Sequence, residues 1–167
     1  MEFRKTRTED LNQVMALYAA ARTFMQEHGN PAQWTNGYPQ RELIAREIEK
    51  GSSFVCTNGE ALAAVFSLIP GNDPTYDRIY DGAWLNDAPY STVHRICTAK
   101  QGGGVGAACL AWCLEQCGNL RIDTHRDNKP MQMLVKRCGF TYCGRIIIED
   151  GSERLAFQKL KDRAQQD

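Results

Sequence analysis

The 167-residue chain has no excess of charge of either sign. Its 20 basic residues are matched by 20 acidic ones, for a formal net charge of zero. A nucleic-acid module shows a basic excess or a basic stripe, so nucleic acid is excluded as a partner. No apolar run approaches the ~20 residues of a membrane span, so no membrane is expected. The N-terminus, Met1-Glu2-Phe3-Arg4-Lys5, lacks the apolar region of a signal segment. A cytoplasmic protein is the default expectation. No repeat, linker or low-complexity stretch divides the chain. Residues 1–167 therefore suit a single domain, with a polar tail at 161–167 expected to fray. The seven cysteines include no Cys-x-x-Cys pair, so the zinc and thioredoxin-like signatures are missing. Cys109, Cys113 and Cys117 recur at four-residue steps on one helix face. We read them as small apolar core residues and expect no metal.

What is present centres on Thr92 to Cys117. Thr92 to Thr98 is rich in β-branched residues and reads as a strand. Ala99-Lys100-Gln101 follows, then Gly102-Gly103-Gly104-Val105-Gly106, then a small-apolar run that includes Ala107, Ala108, Leu110, Ala111 and Leu114 and fits a buried helix. A strand-to-helix turn needs one or two glycines, and this one has four within five residues. A glycine loop feeding a helix N-terminus exposes unpaired N–H groups at the positive end of the helix dipole. That is an anion site, above all for a pyrophosphate.

The flanks supply the other elements. Phe3 to Thr6 reads as a strand, and Thr8, as cap, opens a helix with core positions Leu11, Val14, Met15, Leu17, Tyr18 and Ala21, ending near Gly29. The loop Gln33 to Pro39 carries Trp34 and Tyr38, which either pack on the core or line a pocket. Arg41 to Lys50 is a second helix, with Leu43, Ile44 and Ile48 inward. Ser53 to Thr57 and Glu60 to Ile69 form a hairpin around Asn58-Gly59. Thr75 to Ser91 is irregular; its Tyr76, Tyr80, Trp84 and Tyr90 suit either a substrate surface or a hydrophobic flap. Leu120 to His125 is a strand, Asp127 or Asn128 caps a helix with Pro130 in its first turn, and Phe140 to Ile148 with Arg154 to Leu160 close the chain as a hairpin.

Two anions fit the loop. Gly102, Gly104 and Ala107 match Gly-x-Gly-x-x-Ala, and Asp123 follows about 20 residues on, as in a dinucleotide unit. That fold requires a run of βαβ units, which the flanking hairpins do not provide. Gln101-Gly102-Gly103-Gly104-Val105-Gly106 also fits Gln/Arg-x-x-Gly-x-Gly/Ala. This motif, the element order, and Asn128 opening a helix that ends in Gly139-Phe140 resemble the GNAT N-acetyltransferase superfamily over nearly the whole chain. The resemblance implies an α/β (α+β) fold: a mixed, mostly antiparallel sheet of about seven strands, splayed at an acetyl-CoA site and flanked by about four helices.

The resemblance also implies roles. Backbone groups of Ile96, Cys97 and Thr98 would bond the pantetheine arm. Gln101, Gly102, Gly103, Gly104, Val105, Gly106 and Ala107 would hold the pyrophosphate of acetyl-CoA, the co-substrate. Asn128 would contact the coenzyme, unless it is only a helix cap. The acceptor would be a primary amine of a small molecule or peptide, in a pocket shaped by Trp34, Tyr38, Trp84 and Tyr90. His94 and His125 are the candidate bases, since an unperturbed imidazole titrates near neutrality. Period-two alternation would put His94 on one face with Ile96 and Thr98. The family often has an acidic Tyr where this chain has Val135, which leaves a non-catalytic acyl-CoA sensor as the alternative. Superfamily members are often dimers, so a homodimer is compatible.

Overall fold

A computed structural model of the protein describes residues 1–162; the end of the tail expected to fray, from residue 163, lies outside the described residues. The elements in chain order are β1 (Glu2–Lys5), α1 (Leu11–Glu27), α2 (Arg41–Lys50), β2 (Ser53–Asn58), β3 (Ala61–Pro70), β4 (Ser91–Thr98), α3 (Val105–Cys117), β5 (Asn119–Thr124), α4 (Lys129–Arg137), β6 (Thr141–Ile147) and β7 (Glu153–Leu160). The strands form a seven-stranded sheet in the order β1-β2-β3-β4-β5-β7-β6. The pair β4–β5 is parallel; β1–β2, β2–β3, β5–β7 and β6–β7 are antiparallel. This is the expected mixed, mostly antiparallel sheet with four helices. The dinucleotide alternative is thereby overturned, because a doubly wound fold needs successive parallel crossovers.

Two local expectations shift. Thr8 does not cap α1: Thr8–Asp10 is one 3-10 turn, and the anchor is Asp10. The Asp10 carboxylate accepts the Arg7 N–H at 2.7 Å and the Arg4 guanidinium at 2.7 and 3.1 Å. Arg4 in turn holds the Asp10 carboxyl below its usual range. The β2–β3 hairpin turns one residue later than expected. Asn58 pairs with Ala61, so Gly59-Glu60 are the turn residues, with Gly59 at a φ of +63°.

The chain divides into two compact units, Met1–Leu68 with His94–Cys109, and Ile69–Val93 with Leu110–Asp167. The first unit packs α1 and α2 on β2, β3 and the end of β4. Its core holds Val14, Tyr18, Trp34, Ile44, Val55, Val65 and Cys97. In the second, Tyr76, Ile146 and Ala156 form the buried cluster, with Ile79, Trp84, Tyr90 and Ile148 packed against it. The irregular stretch before β4 is thus a flap that contributes to a core. The core reading of the α3 cysteines holds for Cys109 and Cys113, which are buried, while Cys117 is only half-buried; Cys56, Cys97 and Cys143 are buried as well, and burial pushes the Cys97 and Cys109 thiols up to about 12. On α3, Ala111 is exposed rather than inward.

Candidate active site

In the first unit β4 ends beside β3, where the Ala99 N–H donates to the Ala63 carbonyl at 2.8 Å. The chain then leaves the sheet as an exposed loop, Ala99 to Gly104. Gly102, Gly103 and Gly104 take φ values of +79°, +72° and +78°. A Cβ at any of them would meet open space. The glycines are required by the backbone turn, and the space beside them is free for a ligand. The Ala108 N–H is the first donor to bond within α3, to the Gly104 carbonyl at 3.0 Å. The preceding amides of Val105, Gly106 and Ala107 have no acceptor within the helix and sit at its positive end. The loop thus presents successive N–H groups beside open space, the geometry a phosphate group requires.

Parallel pairing of β4 with β5 covers Ser91↔Leu120 and Thr92↔Arg121. Among the described residues it extends no further. Just beyond, Arg95 has a φ of +54°. A left-handed residue breaks the pleat, so alternation does not carry across it, and the expectation that His94 shares a face with Ile96 and Thr98 loses its basis. His94 is half-buried. Ile96 and Cys97 are buried, and the Thr98 hydroxyl donates to the Lys100 carbonyl at 2.9 Å.

Sequence reasoning missed the polar cluster beside this turn. Glu47 of α2 is buried and accepts from the Arg95 guanidinium and from the Ser67 hydroxyl of β3. Arg95 also donates to the Tyr38 hydroxyl at 2.9 Å. The signal was available: Glu47 stands between Ile44 and Ile48 on the inward face of α2, where a carboxylate needs a buried partner. Trp34 is a core side chain, 7 % exposed, edge-on to Tyr18 and Tyr38 with ring centroids 5.7 and 6.2 Å away. Only Tyr38 of this pair keeps partial exposure.

In the second unit, His125 lies just past the end of β5 rather than within it. Its Nδ1 accepts the Asp127 N–H at 3.0 Å. The Asp127 carboxylate, 3.6 Å away, would favour a cation. Burial outweighs it, with Arg154 and Arg126 adding to the effect, and the imidazole pKa falls below its ordinary value. Burial thus favours the neutral imidazole, whose Nδ1 is engaged by the Asp127 N–H. Asn128 is the cap of α4, its Oδ1 accepting the Met131 N–H at 3.2 Å. Trp84 and Tyr90 come together around Arg121, whose guanidinium carbon lies 4.1 and 3.9 Å from their ring centroids. Asp123, the residue expected to hold a ribose in the dinucleotide reading, accepts the Tyr76 phenol at 2.6 Å. Val135, at the position of the family Tyr, is fully buried.

Among the described residues no helix is long and apolar enough to cross a membrane. No protein-family model matches the chain. It is 26% identical over 147 residues to an uncharacterised N-acetyltransferase, YesJ, of Bacillus subtilis (strain 168), covering 81% of this chain and 79% of that protein. The crystal structure of a GNAT-family acetyltransferase from Streptococcus agalactiae is similar with a TM-score of 0.89 and 33% identity, covering 97% of this chain and 96% of that one. A GNAT-family acetyltransferase from Listeria monocytogenes shares the fold at a TM-score of 0.72 and 18% identity, over 96% and 94% of the two chains. With that sheet order, that loop and a one-third-identical relative spanning its length, the chain belongs to the GNAT family of acetyltransferases.

Proposed function

We propose that this acetyltransferase takes its acetyl group from acetyl-CoA and transfers it to a primary amine of a small molecule or peptide. The observation that carries the reading is the glycine loop, with three left-handed glycines lining open space ahead of the α3 amides. Amides from Gly102 to Ala107, with Gln101 at the mouth, suit the coenzyme pyrophosphate. The backbone of Ile96, Cys97 and Thr98 suits the pantetheine arm as an added strand. Every group this reading requires belongs to the first unit.

The coenzyme supplies a thioester. His94 takes the proton that leaves the attacking amine. A backbone N–H among Ile96 to Thr98 donates to the oxyanion of the tetrahedral intermediate. Buried Val135 has no proton to give, so the departing thiolate takes one from water or a hydroxyl. Tyr38, partly exposed beside Arg95, is the aromatic of the first unit that suits the acceptor.

Calorimetric titration with acetyl-CoA and, separately, NADH tests the coenzyme. Release of free thiol against a panel of amines then tests the transfer. Binding of acetyl-CoA with thiol release is the expected result. Binding of NADH alone would overturn the reading. His94→Ala is expected to lower kcat with little change in acetyl-CoA affinity, and an unchanged kcat would remove His94 from the mechanism.

A further inference from the structure

Three non-glycine residues have positive φ among the described residues: Asn36, Asp81 and Arg95. Asn and Asp tolerate this region because a short polar side chain bonds locally. Arginine has no such compensation, and Arg95 stands in mid-strand between His94 and Ile96. A residue so strained persists only where its surroundings over-determine it. Here they do, from three elements. Glu47 of α2 takes the guanidinium, Ser67 of β3 bonds the same carboxylate, and Tyr38 of the α1–α2 loop accepts a second guanidinium N–H. The Arg95 and Glu47 side chains are only 9 % and 8 % exposed. A buried ion pair is weak as a source of stability, since apolar side chains of like volume usually do as well. What it fixes is direction.

We propose that the Glu47–Arg95 pair is a positioning device. It holds β4 in its left-handed turn and thereby aims the His94 imidazole and the Ile96 to Thr98 N–H groups. Arg95 acts through the backbone on either side of it: its Nη1 and Nη2 groups donate to Tyr38 and Glu47, and its buried Nε–H has no partner among the described residues. The inference rests on the acetyl-CoA reading, because those backbone groups are the ones assigned there to the coenzyme and the oxyanion.

The test is a series at one position, Arg95→Gly, Arg95→Asn and Arg95→Ala, each in a Glu47→Gln background so that no carboxylate is left buried without its cation. All three lack the guanidinium and differ in their tolerance of the left-handed region, glycine most and alanine least. Acetyl-CoA affinity by calorimetry and kcat by thiol release are measured well below each thermal midpoint. The expected order is Gly, then Asn, then Ala in both readouts, with Ala about tenfold below Gly. Equal affinities and equal kcat across the three would overturn the proposal, whether the guanidinium matters directly or only for folding. Should the alanine variant not fold, the glycine and asparagine variants carry the same comparison. If the unsubstituted protein binds no acetyl-CoA, the coenzyme reading falls and this proposal with it. If it binds and the three variants are alike, this proposal alone falls.

Discussion

His125 gives the clearest pH signature of any single residue. Its folded pKa lies below its ordinary value of 6.5, chiefly through burial. The unfolded chain therefore binds a proton that the folded one refuses. The associated stability is fully present above about pH 6.5 and is lost as pH falls through the lowered folded pKa. The thermal midpoint is expected to decline as pH falls below about 6.5, and His125→Asn, whose amide oxygen can still accept the Asp127 N–H, to flatten that decline. A slope unchanged in the variant would mean that other groups set it. Trp84 makes a second case in the same unit. Its ring covers Arg121 and packs 5.1 Å from the Tyr76 ring, and its indole N–H donates to the Tyr76 carbonyl at 2.9 Å. Trp84→Ala removes all three contacts and leaves a buried cation half uncovered. It is expected to cost about 3–5 kcal/mol in urea unfolding.

Elements were legible in the sequence wherever one period governed them. The inward face of α1 follows Leu11, Val14 and Tyr18, and a cap at Asp127 or Asn128 was legible ahead of Lys129-Pro130, Asn128 being the residue that caps α4. The glycine loop was legible because four close glycines have few other uses. What was not legible depended on partners distant in the chain. The turn at Arg95 is held by Glu47, 48 residues away, and no local pattern in Thr92 to Thr98 announces a left-handed residue. The same holds for β6, where the bridge Tyr80↔Arg145 brings the flap against the strand. There Gly82 has no room: an added Cβ would lie 1.9 Å from the Cys143 carbonyl oxygen. Gly82→Ala must push backbone from backbone and is expected to lower the thermal midpoint by several degrees, of the order seen for a 1–2 kcal/mol loss. The glycine loop is the contrast. Gly104→Val meets nothing but must take a φ of +78°. It is expected to lower the thermal midpoint through that backbone strain and to weaken acetyl-CoA binding, read by the same calorimetric titration.

At the scale of the whole molecule the free thiols report how the chain opens. Cys56, Cys97, Cys109, Cys113 and Cys143 are buried, whereas Cys117 and Cys138 are partly exposed. A thiol reagent attacks the thiolate, and burial both shields the sulfur and raises its pKa. Cys117 and Cys138 are therefore expected to react first, and the other five only through opening of the fold. The five are divided between the units, Cys56, Cys97 and Cys109 in the first and Cys113 and Cys143 in the second. Cys109 and Cys113 nevertheless stand one turn apart on the same helix, α3. A helix opens cooperatively, and a break between adjacent turns would strand hydrogen bonds on both sides. Peptide-resolved alkylation under native conditions is expected to label Cys109 and Cys113 at one common rate. If Cys109 labels with Cys56 and Cys97 while Cys113 lags with Cys143, the two units open independently and α3 breaks where they meet along the chain.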